Sequence, residues 1–223
     1  MTVAPATIPA LTSQRDAFVG AEGDAYFARN PDHPDESHGF DRHIAELLPA
    51  GASVLEVGCA DGRRLLRLEQ MVPGHYAGVD PSASAVDHGR ASWPQLDLRV
   101  GSADALPFDE PFDAVVLGFF LYVCDRALLP RIVSEADRMV RDGGILAVID
   151  FAAPYPSRRP YHHVPGLHTY RLRYEDLFLA YPSYSLVHRT HSPMPGSTRT
   201  DGTDEAVLTI LRKRLDRGYA IED

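Results

Sequence analysis

Between residues 54 and 151 the chain alternates two patterns. Short apolar stretches rich in valine, leucine and isoleucine are separated by segments whose apolar residues return every three to four positions. The first pattern reads as strands buried on both faces, the second as amphipathic helices. Strands are expected over 54–57, 75–80, 96–100, 112–118 and 145–151, and helices after residue 62, over 82–91 and over 128–140. The helix at 128–140 has the clearest periodicity, with Leu129, Ile132, Val133, Ala136 and Met139 on one face. Gly143 and Gly144 follow as a glycine stop before the strand at 145–151.

The flanking regions differ. Residues 1–14, with Pro5 and Pro9, read as a loose arm, and a helix is expected over 15–29 until Asn30, Pro31 and Pro34 break it. A second helix over 36–48 carries Phe40, Ile44, Leu47 and Leu48 and stops at Pro49 and Gly51. Both precede the first strand, so residues 1–48 either pack on the sheet or form a lid over its carboxyl edge. After residue 151 a long connection rich in tyrosine, histidine, proline and arginine reaches a short helix at 174–181. Its aromatic and imidazole content is wrong for a disordered linker, and it leaves the carboxyl end of a strand. Residues 152–182 are therefore placed at an acceptor pocket. Two last strands, 184–189 and 206–211, have a Pro/Gly/Thr-rich connection too short for a crossover helix, which implies an antiparallel pair.

Composition narrows the class. With 223 residues, 24% charged and 44% hydrophobic, the chain suits one globular domain over 1–223. A formal net charge of -9 argues against a nucleic-acid or anionic-membrane partner, which needs a basic face. Cys59 and Cys124 have neither disulfide-framework nor zinc-ligand spacing. The amino terminus does not read as a signal peptide, and the apolar run at 114–124 is too short to span a bilayer. A cytoplasmic protein with no bound metal is expected.

The candidate chemistry starts at the first strand. Glu56, Gly58, Cys59, Ala60 and Gly62 form a small-residue turn between a strand and a helix, where backbone can approach a ligand closely. A carboxylate there repels pyrophosphate and suits a cation or a sugar hydroxyl. Asp80 ends the second strand, followed by Pro81 and Ser82, at a position where a carboxylate can accept from both hydroxyls of a ribose. Its structural alternative is a simple helix cap.

The pattern Glu56-x-Gly58-x-Ala60-x-Gly62 resembles the first motif of the class I S-adenosylmethionine (SAM) methyltransferases. Residues 139–146, with their Gly-Gly between helix and strand, resemble the same family, and together the likeness covers residues 40–151. Ala60 departs from it, since glycine is usual there, and one methyl group is tolerated if φ stays negative. The resemblance implies an α/β fold with a doubly wound, mostly parallel seven-stranded sheet and an antiparallel last strand. It implies SAM as cofactor, held by the loop, by Asp80, Pro81 and Ser82, and by Ala103, Asp104 and Ala105, with Asp104 accepting from the adenine amino group. Gly118 and Phe119, at the end of the fourth strand, would border the reaction centre.

The expected activity is O- or N-methylation of a small molecule, in the direction of secondary metabolism. The alternative is a methyltransferase-like protein that binds SAM without catalysis. An NAD-dependent oxidoreductase is disfavoured by Glu56. His162 and His163 are candidates for a general base or orienting group, because imidazole accepts protons near neutral pH, with packing or solvent-facing imidazoles as the alternative. Arg158, Arg159, Arg171 and Arg173 could hold a phosphate or carboxylate, or could equally be surface residues.

Overall fold

The apolar runs pair as their composition requires, through backbone hydrogen bonds in a central sheet. A computed structural model describes residues 13–30, 39–194 and 205–219. Strands β1 (Ser53–Val57), β2 (His75–Asp80), β3 (Asp97–Val100), β4 (Phe112–Gly118) and β5 (Val140–Phe151) are all parallel. A separate two-stranded ribbon follows, β6 (Ser157–Pro160) against β7 (His168–Arg171). Strands β8 (Tyr184–Pro193) and β9 (Glu205–Lys213) then complete a seven-stranded sheet in the order β3-β2-β1-β4-β5-β9-β8. β9 runs antiparallel to both of its neighbours, as the short connection predicts.

Side chains alternate across the sheet, which explains why the strands are apolar on both faces. Leu55, Val115, Leu117 and Leu146 meet Ile132, Val133 and Met139 of helix α6 (Leu129–Met139). On the other face Val54, Val116 and Ile149 meet Leu65 and Leu68 of helix α4 (Arg63–Met71), Val86 of α5 (Ala83–Ser92), and Phe40 and Ile44 of α3 (Phe40–Ala45). The strand order reverses beside β1, whose neighbours are β2 and β4. At such a point the connections leave in opposite directions, and a crevice opens beyond the carboxyl ends of the strands.

Several elements differ from expectation. The helix expected over 15–29 is divided into α1 (Gln14–Ala17), a wide turn (Phe18–Glu22) and α2 (Gly23–Arg29), with Gly20 outside helical geometry at φ -79°, ψ -109°. Of the helix at 36–48, residues 36–38 lie outside the described residues and α3 ends at Ala45. β5 begins five residues earlier than its apolar run, because Val140 pairs with Phe112 directly after α6 and Arg141 to Gly144 form an irregularity within the strand. The helix at 174–181 is one turn, α7 (Asp176–Leu179). β6 and β7 had no apolar pattern to mark them as strands, since Arg158 and Arg159 stand in the first and its last three residues are exposed.

Candidate functional site

The loop after β1 carries positive φ at Gly58 (74°), Ala60 (48°) and Gly62 (85°). This bend directs successive backbone N–H groups inward: Gly58 and Cys59 donate to the Val79 carbonyl, and Ala60 donates to Asp80 Oδ2 at 2.9 Å. Gly58 is required sterically as well, because a Cβ there would stand 2.9 Å from the Phe120 ring. The condition under which a methyl group is tolerated without strain, a negative φ, is not met: the alanine adopts a left-handed conformation, which costs a residue with a Cβ about 1–2 kcal/mol. Ala60→Gly should therefore raise stability by about 0.5–1 kcal/mol after the extra chain entropy of glycine is subtracted. For a domain of this size that corresponds to a melting-temperature rise of about 1–4 °C, measurable by calorimetry; a fall would contradict the strain.

Three acids from consecutive strand ends border one cavity. Asp80 accepts the Ala60 N–H on Oδ2 and the Ser82 N–H on Oδ1, both at 2.9 Å. Asp104, on the loop after β3, accepts from the Ser102 hydroxyl and from Arg15 Nε at 3.1 Å to each oxygen. Burial opposes its ionisation, but the hydroxyl and the guanidinium prevail and hold its pKa below the usual value.

Glu56 is different, because it is buried and its Oε1 is engaged by Arg64 Nη1. Arg64 also reaches Asp41 at 3.3 Å, and Asp41 takes Arg67 at 2.6 Å, making a buried network of two acids and two arginines. Burial raises the Glu56 pKa, with Arg64 working against it. Its carboxylate is thus largely answered from within the chain. Gly118 makes room for this pair: a Cβ there would lie 2.3 Å from Arg64 Nη1.

The cavity is covered by the amino-terminal helices, which contribute Arg15, Phe18, Tyr26 and Phe27 to its lining. The cover is fastened at several points. Asp125 accepts from Ser13 Oγ (3.0 Å) and from the backbone of Gln14 and Arg15, while Gln14 Nε2 donates to the Val123 and His168 carbonyls. Asp24 accepts from Ser82 Oγ at 2.6 Å, and Glu22 accepts from the Tyr161 hydroxyl at 2.6 Å.

Of the residues singled out in the sequence, Glu56, Gly58, Cys59, Ala60, Asp80, Pro81, Ser82, Ala103, Asp104, Gly118 and Phe119 all line this cavity. Gly62 instead caps α4 and packs on Leu96 and Leu98, and Ala105 is exposed outside the lining. Phe119 has φ 53°, a conformation rare for a side chain of its size and of the kind that strained functional sites retain. Neither His162 nor His163 reaches the main cavity. His162 borders a second cavity across Tyr122, and the His163 ring stands 5.4 Å from that of Tyr161. Sequence reasoning missed Arg15, Asp61, Tyr122 and Asp125 in the lining. The amino-terminal segment, expected either to pack on the sheet or to form a lid, contributes the aromatic residues Phe18, Tyr26 and Phe27 to the lining.

Beneath Tyr122 lies Asp150, which accepts from the backbone N–H of Tyr122 (3.2 Å) and Phe151 (2.7 Å). Burial pushes its pKa up to about 7, against the pull of those hydrogen bonds and of Arg126 and Arg171. Between the unfolded value of 3.8 and about 7 the folded state therefore holds a proton that the unfolded state has lost, so stability falls as pH rises through this window. The melting temperature should decline from pH 5 to pH 8 more steeply in the wild type than in Asp150→Asn. Parallel profiles would show that Asp150 does not titrate in this range.

The cavity has features that suit SAM. It runs from Asp104 past Asp80 and the loop to Glu56 and Gly118, combining carboxylates with apolar walls. At its inner end Glu56 Oε2 is buried with no hydrogen-bond partner among the described residues, an acceptor that suits an ammonium group. Among the described residues no group of three His, Cys, Asp or Glu is arranged to hold a metal, and no helix is long and apolar enough to cross a membrane.

Comparison with known proteins agrees with this geometry. Residues 54–144 match the family described as a methyltransferase domain. A probable S-adenosylmethionine-dependent methyltransferase of Mycolicibacterium smegmatis is 32% identical over 125 residues, covering 53% of this chain and 47% of the relative. A demethylmenaquinone methyltransferase of Symbiobacterium thermophilum is 34% identical over 114 residues, covering 47% and 45%. The matched part thus spans about half the length of these curated relatives. In fold, the chain is similar to the 1,6-didemethyltoxoflavin-N1-methyltransferase of Burkholderia thailandensis, solved with 1,6-didemethyltoxoflavin and S-adenosylhomocysteine. The TM-score is 0.71 at 14% identity, over 95% of this chain and 94% of that one. Residues 54–144 thus match a methyltransferase domain, and the mostly parallel seven-stranded sheet is similar to the Rossmann-like fold of the solved methyltransferase.

Proposed function

We propose that this protein binds SAM in the covered cavity and transfers its methyl group to an oxygen or nitrogen of a small-molecule acceptor. The observation that carries the reading is the convergence of Glu56, Asp80 and Asp104, from three different strand ends, on one cavity beside the bent glycine loop. Asp80, at the end of β2 beside the loop, suits the two ribose hydroxyls, since one carboxylate can accept from both. Asp104 is placed for the adenine amino group, Glu56 for the amino acid end, and Gly118 and Phe119 for the region of the sulfur. When bound, SAM supplies a methyl group on a positively charged sulfur, which an acceptor lone pair can displace.

The chain's own contribution is then alignment and exclusion of water. Tyr122 and Phe119 restrict the approach, and the amino-terminal helices act as a lid, since they line the cavity and are fastened over it by hydrogen bonds that include those to Asp125. Where the acceptor must lose a proton, His162 is the better candidate of the two histidines, because it borders the adjoining cavity. An acceptor of one or two rings is supported by the tight site and by the ligand of the Burkholderia neighbour, and a role in secondary metabolism is consistent with both. Incubation with methyl-labelled SAM and a panel of small phenols, carboxylates and heterocyclic amines tests catalysis. Label should appear in an acceptor; SAM binding with no transfer to any class would favour a binding protein without chemistry.

A further inference from the structure

The second cavity, of about 170 Å³, adjoins the main one across Tyr122, which lines both. A space of this size accommodates roughly one six-membered ring. Its aromatic wall is continuous with the main site: Phe151 stands edge-on to Tyr122 at 5.0 Å and to Phe119 at 5.6 Å. The opposite wall is the β6–β7 ribbon, from which Arg159, Pro160, Thr169, Tyr170 and Arg171 line the cavity. Arg159 is paired with Thr169 and Ser157 with Arg171. Arg158 and Arg173 are not in the lining.

No acid is among the lining residues. Arg159 has no carboxylate partner among the described residues, although most arginines elsewhere in this acidic chain are ion-paired. Arg171 lies over the Phe151 ring at 4.7 Å, and Arg126 lies over the Tyr170 ring at 4.3 Å. The nearest carboxylate behind this wall, Asp150, is fully buried and already accepts two backbone N–H groups. Arg159 and Arg171 thus put two guanidinium groups in the lining and give the cavity a local positive character within a chain of net charge -9.

We infer that this cavity is the acceptor subsite, and that it selects a small planar molecule bearing a carboxylate or phosphate. The ring lies against Phe151 and Tyr122, the anion is held by Arg159 and Arg171, and the nucleophilic atom points past Tyr122 into the main cavity. Guanidinium groups suit both anions through paired N–H donors. The inference rests on the methyltransferase reading, but its test separates the two.

The full chain, saturated with S-adenosylhomocysteine, is titrated calorimetrically with benzoate, phenyl phosphate and the neutral isostere benzamide. At least one anion should bind about tenfold or more tightly than benzamide, the usual effect of hydrogen bonds to a charged group, and benzoate against phenyl phosphate identifies which anion is preferred. The double variant Arg159→Gln/Arg171→Gln should lose that preference while keeping S-adenosylhomocysteine affinity within about threefold, because neither arginine lines the main cavity. Should the glutamine variant fail to fold, Arg159→Gln alone serves, since this side chain is exposed. If benzamide binds as well as both anions, or if the variants retain the preference, the subsite is wrong even with the cofactor site intact. Failure of S-adenosylhomocysteine itself to bind would instead overturn the methyltransferase reading.

Discussion

Arg64→Ala should destabilise the protein by about 3–5 kcal/mol, the usual effect of removing one partner from a buried ion pair. The argument is one of uncompensated charge. Arg64 is the group that engages buried Glu56, and it also meets buried Asp41. Without it Asp41 keeps Arg67, whereas Glu56 must either stay ionised in a poorly solvated site or take up a proton. Its pKa, already raised by burial, would rise further, so the variant should lose more stability at pH 8 than at pH 5. Adding Glu56→Gln removes the orphaned charge and should restore part of the loss. Denaturant unfolding at the two pH values measures all of this; a loss below about 1 kcal/mol would show that the pair is dispensable.

Asp80→Ala carries the second large effect. SAM affinity should fall by about 10- to 100-fold, equivalent to about 1.5–3 kcal/mol for hydrogen bonds to a charged acceptor. Part of this loss would arise through the loop, because Asp80 also accepts from Ala60 and thereby holds the bend after β1. Calorimetric titration with S-adenosylhomocysteine detects the whole effect, and a melting curve on the apo protein isolates the loop's share. Unchanged affinity would reduce Asp80 to a cap of the following turn.

The strand ends were legible because a parallel sheet brings the carboxyl termini of its strands to one edge whatever their separation in sequence. Glu56 and Asp80 could thus be placed together from the order of apolar runs, with Asp104 added by the family resemblance, and all three line one cavity. What each carboxylate is bonded to was less accessible. Arg64 lies on the helix after the loop, eight residues from Glu56, and only the rotation of that helix against β1 brings them together. Arg15 reaches Asp104 across 89 residues, a contact set by how the cover lies on the sheet. The sign of φ at Ala60 was not legible from local preference, because the bend is accompanied by the bond from the Ala60 N–H to Asp80. The β6–β7 ribbon escaped notice because its strands are Ser-Arg-Arg-Pro and His-Thr-Tyr-Arg, so no hydrophobic alternation marks it.

Calorimetric titration of the intact chain with SAM and, side by side, with NADH tests the cofactor assignment most directly. Glu56 and the bent loop predict saturable one-to-one binding of SAM and no detectable heat with NADH. Binding of NADH in place of SAM would contradict the assignment of this cavity.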